Sequence, residues 1–475
     1  MDRSTRAPLR LVALVAVIGL LVNACTSNAS PSASAGASSE GSTPPGEAIE
    51  IEWYVGLGTG ENAEQIPIEE AVVQAFNDSH TDIQIKLTVV DNTVAQDTLT
   101  QRLPSNPPDI IGPIGIRALQ SFGDQLLDLS QYIDSSGVDL SEIDPALLDA
   151  YNVDGKQIGI PMAVYPSFFY YNKSLFDEAN LAYPPQEVGE QYDGKDWTWE
   201  TVRDLAMKLT VDAAGNDATS AAFDADNIEQ WGLDAQFTEM DTRAWSTIFG
   251  GSGSVVAADG SAQWPDNWRE GLQFFYDGVW TDHMIPTKAE AEAIGGGEDR
   301  NTFQSGLVAM DVVHQWYVCC VYPADGTPAV SDWDIAVLPV GPDGNVTSKL
   351  HADTIGILDT TEHPAEAFEA LSFLAKSPEL VQTWGAMPAI ESQRAAFFAG
   401  LDERFAPLQI DWNVSSLMLA HPDNPSHEAF MPNFEKTDSA NKDLGAKLWT
   451  TPGLDLDAEI DTHVEALQTL FDQGG

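Results

Sequence analysis

A chain of 475 residues that is 43% apolar and 9% aromatic can bury a large core and divide into two or three domains. That excludes a disordered tail protein and a small disulfide scaffold. With 22 Lys and Arg against 73 Asp and Glu the net charge is −51. Such a surface repels phosphate backbones and anionic headgroups, which argues against nucleic-acid partners and electrostatic membrane docking.

Arg3, Arg6 and Arg10 precede an apolar run from Leu11 to Val22, too short for a spanning helix, and Asn23-Ala24-Cys25 supplies small residues for cleavage. Residues 1–24 read as a secretory signal. Leu21-Val22-Asn23-Ala24-Cys25 resembles the bacterial lipobox, which implies that Cys25 is lipidated and opens the mature chain. Residues 25–47 are rich in Ser, Ala, Gly and Pro without apolar period and read as a flexible tether. No later segment is apolar over the roughly 18 residues a spanning helix needs. The expected location is the extracytoplasmic face of a bacterial cell membrane, with the lipid as the only membrane attachment.

Beyond the tether the pattern alternates between strands and helices. Ile49 to Val55 alternates strand-fashion, Gly56, Gly58 and Gly60 mark a turn, and Ile66, Ile68, Ala71, Val72, Ala75 and Phe76 space a helix. Ile83 to Val90 is a second strand, Ala95 to Leu103 a helix stopped by Pro104, and Pro108 to Ile111 a third strand. Phe168 to Asn172, Leu307 to Val313, Trp333 to Val340 and Ile355 to Leu358 are further strands. Trp197 to Leu209, Pro364 to Ala375 and Asp455 to Phe471 are helices. The rhythm predicts an α/β fold with a mostly parallel sheet covered by helices. No internal repeat is visible, which excludes a solenoid.

The glycine turn has the wrong spacing for a dinucleotide fingerprint; it reads as a tight turn whose bare backbone faces a cleft. There is no HExxH, GxSxG or CxxC, so neither metal nor cofactor is expected. Asp212, Asp217, Asp224 and Asp226 fail the EF-hand order and read as a solvated loop. With 73 acids, paired carboxylates carry no information on glycosidase chemistry. Trp231, Trp245, Trp264 and Trp316 lie beside turns, and Tyr165 to Tyr171 is a dense aromatic strand. Such rings offer flat apolar faces that match the C–H face of a pyranose, although any single Trp is more often core.

In order and spacing, one set of short motifs resembles the extracellular solute-binding proteins of ABC importers, in the carbohydrate-binding group that includes the maltose binder. The set is Pro108-Asp109-Ile110, Gly159-Ile160-Pro161, Tyr171-Asn172-Lys173, Trp197-Thr198-Trp199-Glu200, Gln230-Trp231-Gly232, Gly306-x-x-Ala309-Met310 with Trp316, and Asp334 to Pro339. The resemblance implies a periplasmic-binding-protein-like fold, two α/β lobes with a hinge and an interlobe cleft. It divides the chain into residues 48–160 and 334–376 as the N-terminal lobe, and 161–333 and 377–475 as the C-terminal lobe. It implies a monomer without catalytic residues that gives a carbohydrate to ABC permease subunits. Trp316 then matches the aromatic platform, and Tyr165 a cleft position. Phe237, Trp245 and Trp231 would supply further aromatics, and Glu61, His314 and Asp353 polar contacts. Pro113 stands where the maltose binder has another site Trp, so maltose itself is not implied. An exported glycoside hydrolase, or the same receptor class with a glycerol phosphate or peptide ligand, stays open. So does the state of Cys319 and Cys320, which with Cys25 lipidated form either a strained disulfide with each other or two thiols.

Overall fold

The computed structural model describes residues 48–473 apart from 116–118, 120, 137, 150, 154, 237–241, 296–301, 320, 322–328 and 424–430. Strand β1 (Ile49–Val55), helix α1 (Ile66–Ser79), strand β2 (Ile83–Val89), helix α2 (Asn92–Arg102) and strand β3 (Ile110–Gly115) follow the expected alternation. β1 pairs in parallel with both β2 and β3. On α1, Pro67 lies in the first turn and Glu69, Val72, Val73 and Phe76 form the buried stripe, one carboxylate among three apolar groups. Asp91 caps α2 by accepting from the Thr93 amide at 3.0 Å. The same helix returns Arg102 to β1, where its guanidinium grips both Glu52 oxygens at 3.0 and 2.6 Å.

The turn after β1 needs its glycines. Gly56 has φ +122°, and a Cβ there would lie 1.9 Å from the Val90 carbonyl oxygen; Gly60 has φ +100°, with Val55 Cγ1 2.4 Å from such a Cβ.

Strand β4 (Ile160–Asn172) is buried over all 13 residues. After it come helix α3 (Trp199–Leu209), strand β5 (Asp234–Ala235), helices α4 (Thr242–Gly250) and α5 (Asp266–Trp280), and strands β6 (Met310–His314), β7 (Trp333–Ala336) and β8 (Leu350–Ile357). Helices α6 (Pro364–Leu374) and α7 (Pro378–Thr383), strand β9 (Met387–Pro388) and the terminal helix α8 (Leu456–Gln473) follow, with further helices at Glu391–Arg404 and Phe434–Thr450 between β9 and α8. Among the described residues nine strands form one sheet in the order β5-β6-β4-β8-β3-β1-β2, with β7 and β9 also paired to β4.

The sheet is mixed, not mostly parallel. β6, β7, β8 and β9 all run antiparallel to β4, because the chain returns to that one long strand four times. β4 changes partners at its middle. Ser167 to Asn172 pair with β6 and β7, whereas Ile160 to Pro166 pair with β8 and β9. Trp333 to Ala336 lie beside Phe169 to Asn172, and β8 pairs with β3. Because β4 runs through both halves, Glu47–Gly475 forms one compact unit.

Candidate functional site

The partner change on β4 brings three chain segments to one place. β6 ends at His314, opposite Ser167, and β8 begins at Leu350, opposite Pro166. Directly after His314 the chain turns into a short 3-10 helix, Gln315–Cys319, which carries Trp316. His351 lies across from Tyr165 in the β8–β4 register, and Asp353 follows two residues later on the same face. β5 runs parallel to β6 and delivers Gln236 just beyond its end.

The side chains meet as an aromatic cluster. Trp316 stacks on His314 with centroids 4.1 Å apart and planes 16° from parallel. His351 lies 4.3 Å from His314 and 4.8 Å from Trp316, and Tyr165 meets Trp316 edge-on at 5.4 Å. The Trp316 indole N–H donates to Gln236 Oε1 at 3.1 Å, and the Tyr165 hydroxyl donates to Asp353 Oδ2 at 3.0 Å. Tyr165 and His314 are buried, whereas Trp316 and His351 are partly exposed.

Burial sets the charge states. It holds both imidazoles well below the usual histidine range, with the Lys349 charge acting in the same direction on each. It pushes the Asp353 carboxyl up to about 6 against the lowering effect of the Tyr165 hydrogen bond. The glycine turn touches the same region through β3: a Cβ on Gly58 would lie 3.3 Å from the Pro113 carbonyl oxygen, and one on Gly115 would lie 3.3 Å from Asp353 Oδ1.

Four expected residues, Trp316, Tyr165, His314 and Asp353, therefore converge. Glu61 lies on the loop beyond the glycines, half-buried, its carboxyl raised by burial and its Oε2 without a hydrogen-bond partner. Trp245 is elsewhere: on α4 it packs against Trp199, Phe274 and Phe275, and its indole N–H donates to the Gly271 carbonyl at 2.7 Å. Phe168 to Tyr171 are likewise core. Trp231 bridges to Val308 at the opposite end of the β5–β6 pair from Gln236. There it borders a separate cavity of about 470 Å³ with Ile228, Ile294 and Leu307. That cavity gathers no stacked aromatic groups. Phe237, Cys25 and Cys320 fall outside the described residues, and Cys319 ends the turn that carries Trp316.

The acidic loop spends its central carboxylate internally. Asp212 accepts from the amides of Ala214, Asn216 and Asp224 and from the Asn216 side chain. Among the described residues no group of three His, Cys, Asp or Glu side chains could hold a metal. No described helix is long and apolar enough to cross a membrane.

Sequence reasoning missed His351 and Gln236. His351 had a signal, since it alternates with Asp353 along a strand and must share its face. Gln236 had none, because its role depends on the parallel pairing of two distant strands.

The arrangement can stack one ring of a ligand on Trp316 and offer carboxylate, hydroxyl and amide groups around it. Comparison with known proteins points the same way. A family model described as bacterial extracellular solute-binding protein matches residues 61–379. A protein of Deinococcus radiodurans described as a probable ABC transporter-binding protein is 25% identical over 261 residues, 54% of this chain. The chain spans only 56% of that relative's length. An ABC substrate-binding protein of Listeria monocytogenes in complex with cycloalternan superposes with a TM-score of 0.67 at 18% identity, covering 89% of this chain and 99% of its own. UgpB of Mycobacterium tuberculosis in complex with glycerophosphocholine gives a TM-score of 0.66 at 16% identity, covering 90% and 99%. These likenesses fix the fold as two-lobed and periplasmic-binding-protein-like.

Proposed function

The chain belongs to the bacterial extracellular solute-binding proteins, and from that premise we propose that it captures a sugar or oligosaccharide and delivers it to the permease of an ABC importer. The observation that carries this reading is Trp316: a partly exposed indole, stacked on His314 and held by Gln236, whose uncovered part is the flat apolar surface the reading uses. A pyranose C–H face fits such a surface, and Tyr165, Asp353 and Glu61 supply hydroxyl and carboxylate partners for sugar hydroxyls.

The protein is a receptor with no chemistry of its own. It works as a monomer whose lobes close by hinge motion at the crossings around β4. Cys25 carries the lipid, residues 25–47 form the tether, and the globular part lies on the extracytoplasmic side. The N-terminal lobe holds residues 48–160 and 334–376, and the C-terminal lobe holds residues 161–333 and 377–475.

A thermal-shift screen of mono- and oligosaccharides, with glycerophosphocholine and a peptide alongside, tests the reading. A sugar at 100 times its dissociation constant stabilises by about 2.7 kcal/mol. A saturable shift without turnover supports the receptor. Turnover of the sugar, or a shift with glycerophosphocholine or the peptide alone, overturns it.

A further inference from the structure

The position of His314 differs from that of a ligand contact. It ends β6, its backbone is paired to Ser167, and its carbonyl accepts from the Tyr170 hydroxyl at 3.3 Å. The residue is 0% exposed, whereas Trp316 beside it is partly exposed. Its ring stacks on the indole. Gln236 holds the indole nitrogen, and Tyr165 and His351 pack beside the ring. Trp316 is thus held from several sides while staying partly exposed, and a ligand would meet the part that His314 does not cover.

We infer that His314 is a positioning residue: it backs the Trp316 platform through ring stacking and does not touch the ligand. The inference rests on the sugar-receptor reading. A side chain ordered before binding loses less freedom when the ligand arrives, so removal of the backing ring weakens affinity without removing any ligand contact. The imidazole is held neutral by its burial, with the Lys349 charge acting in the same direction. His351 beside it is held neutral in the same way, with His314, Lys349 and Lys442 adding to its burial, while Asp353 is engaged by Tyr165.

The test compares His314→Phe, which keeps a flat ring, with His314→Ala, which removes it. With the sugar that gives the wild-type shift, His314→Phe keeps the dissociation constant within about threefold, and His314→Ala weakens it by roughly tenfold, the upper end of what one ordered side chain is worth. Asp353, whose carboxyl burial raises to about 6, titrates between pH 7.5 and 5.5, so wild type and His314→Phe change affinity in parallel over that range. A tenfold loss in His314→Phe overturns the inference. So does a change in wild-type affinity near pH 6.5 that disappears in His314→Phe, since that is the behaviour of an exposed imidazole touching sugar. Near-ultraviolet circular dichroism of the unliganded protein gives a second readout, with the Trp316 band assigned by Trp316→Phe. His314→Phe retains the band and His314→Ala loses it; equal loss or equal retention in both variants overturns the inference. Because this band needs no ligand, a wild-type protein that binds no sugar defeats the receptor reading while His314 is judged separately.

Discussion

The indole N–H of Trp384 donates to Glu69 Oε1 at 2.9 Å, joining the buried face of α1 to the chain just after α7. Glu69 is wholly buried, and its second oxygen has no hydrogen-bond partner. Burial raises its carboxyl to about 7, the Trp384 hydrogen bond opposes this, and the nearby Glu61 charge adds to it. Two carboxylates on either side of Gln65 therefore sit where ionising both is costly. Gln65 itself ties the same loop down by accepting from the Gly60 amide at 3.0 Å.

Glu69→Gln reports that cost. A raised folded-state value means that the stability Glu69 contributes is fully present below its ordinary value of 4.5 and is lost as pH rises through about 7. Relative to wild type, the Gln variant gains stability between pH 4.5 and 8. Urea midpoints across that range measure it, and a constant difference at every pH refutes the protonation argument.

Trp316→Ala and Trp245→Ala separate a platform from a core residue. The first lowers sugar affinity by roughly 1–3 kcal/mol with a small change in denaturation midpoint. The second lowers stability by about 3–5 kcal/mol, since Trp245 fills the space between α4 and α5. Paired denaturation and titration curves show which variant loses which property. The assignments fail if the losses are exchanged.

Tyr165→Phe leaves the buried Asp353 oxygen without its donor and costs on the order of 1–3 kcal/mol of stability. Asp353→Asn supplies a neutral acceptor at the same place and costs less. In the double variant the penalties are not additive, because both act on one hydrogen bond. Additive losses would mean that the two groups stabilise the fold independently.

Cys25→Ala tests the anchor. The wild-type protein partitions with membranes and incorporates labelled fatty acid, whereas the variant is released into the medium or keeps its leader. Equal membrane retention of an unlabelled wild type would show that no lipid is attached at Cys25.

Much of the first half was legible because its signals are local. The alternation of Ile49 to Val55, the α1 stripe ending at Phe76 and the stop at Pro104 all lie within one element each. Glycine punctuation after β1 was equally readable, since Gly56 and Gly60 need positive φ whatever surrounds them. The mixed sheet was not legible. Pairing of β6, β7, β8 and β9 with one strand depends on long-range register, and an apolar run such as Phe168 to Asn172 looks the same in a parallel or antiparallel setting. For the site, motif spacing nominated Trp316 and Tyr165, which the fold brings together. It also nominated Trp245, which lies within α4 and packs against α5. Only the three-dimensional partners of the two indoles distinguish them.

The long strand has a consequence for how the protein can be divided. Residues 48–159 contain β1, β2 and β3, but β3 is covered by β8, which comes from about 240 positions later in the chain. A gene fragment ending before β4 would leave that edge bare, and one beginning after it would leave β6 and β7 without the strand they share. Neither half is a viable module for recombination. Exchange of ligand specificity between relatives has to be made within loops such as Gln315–Cys319, leaving the strand that both halves hold in common.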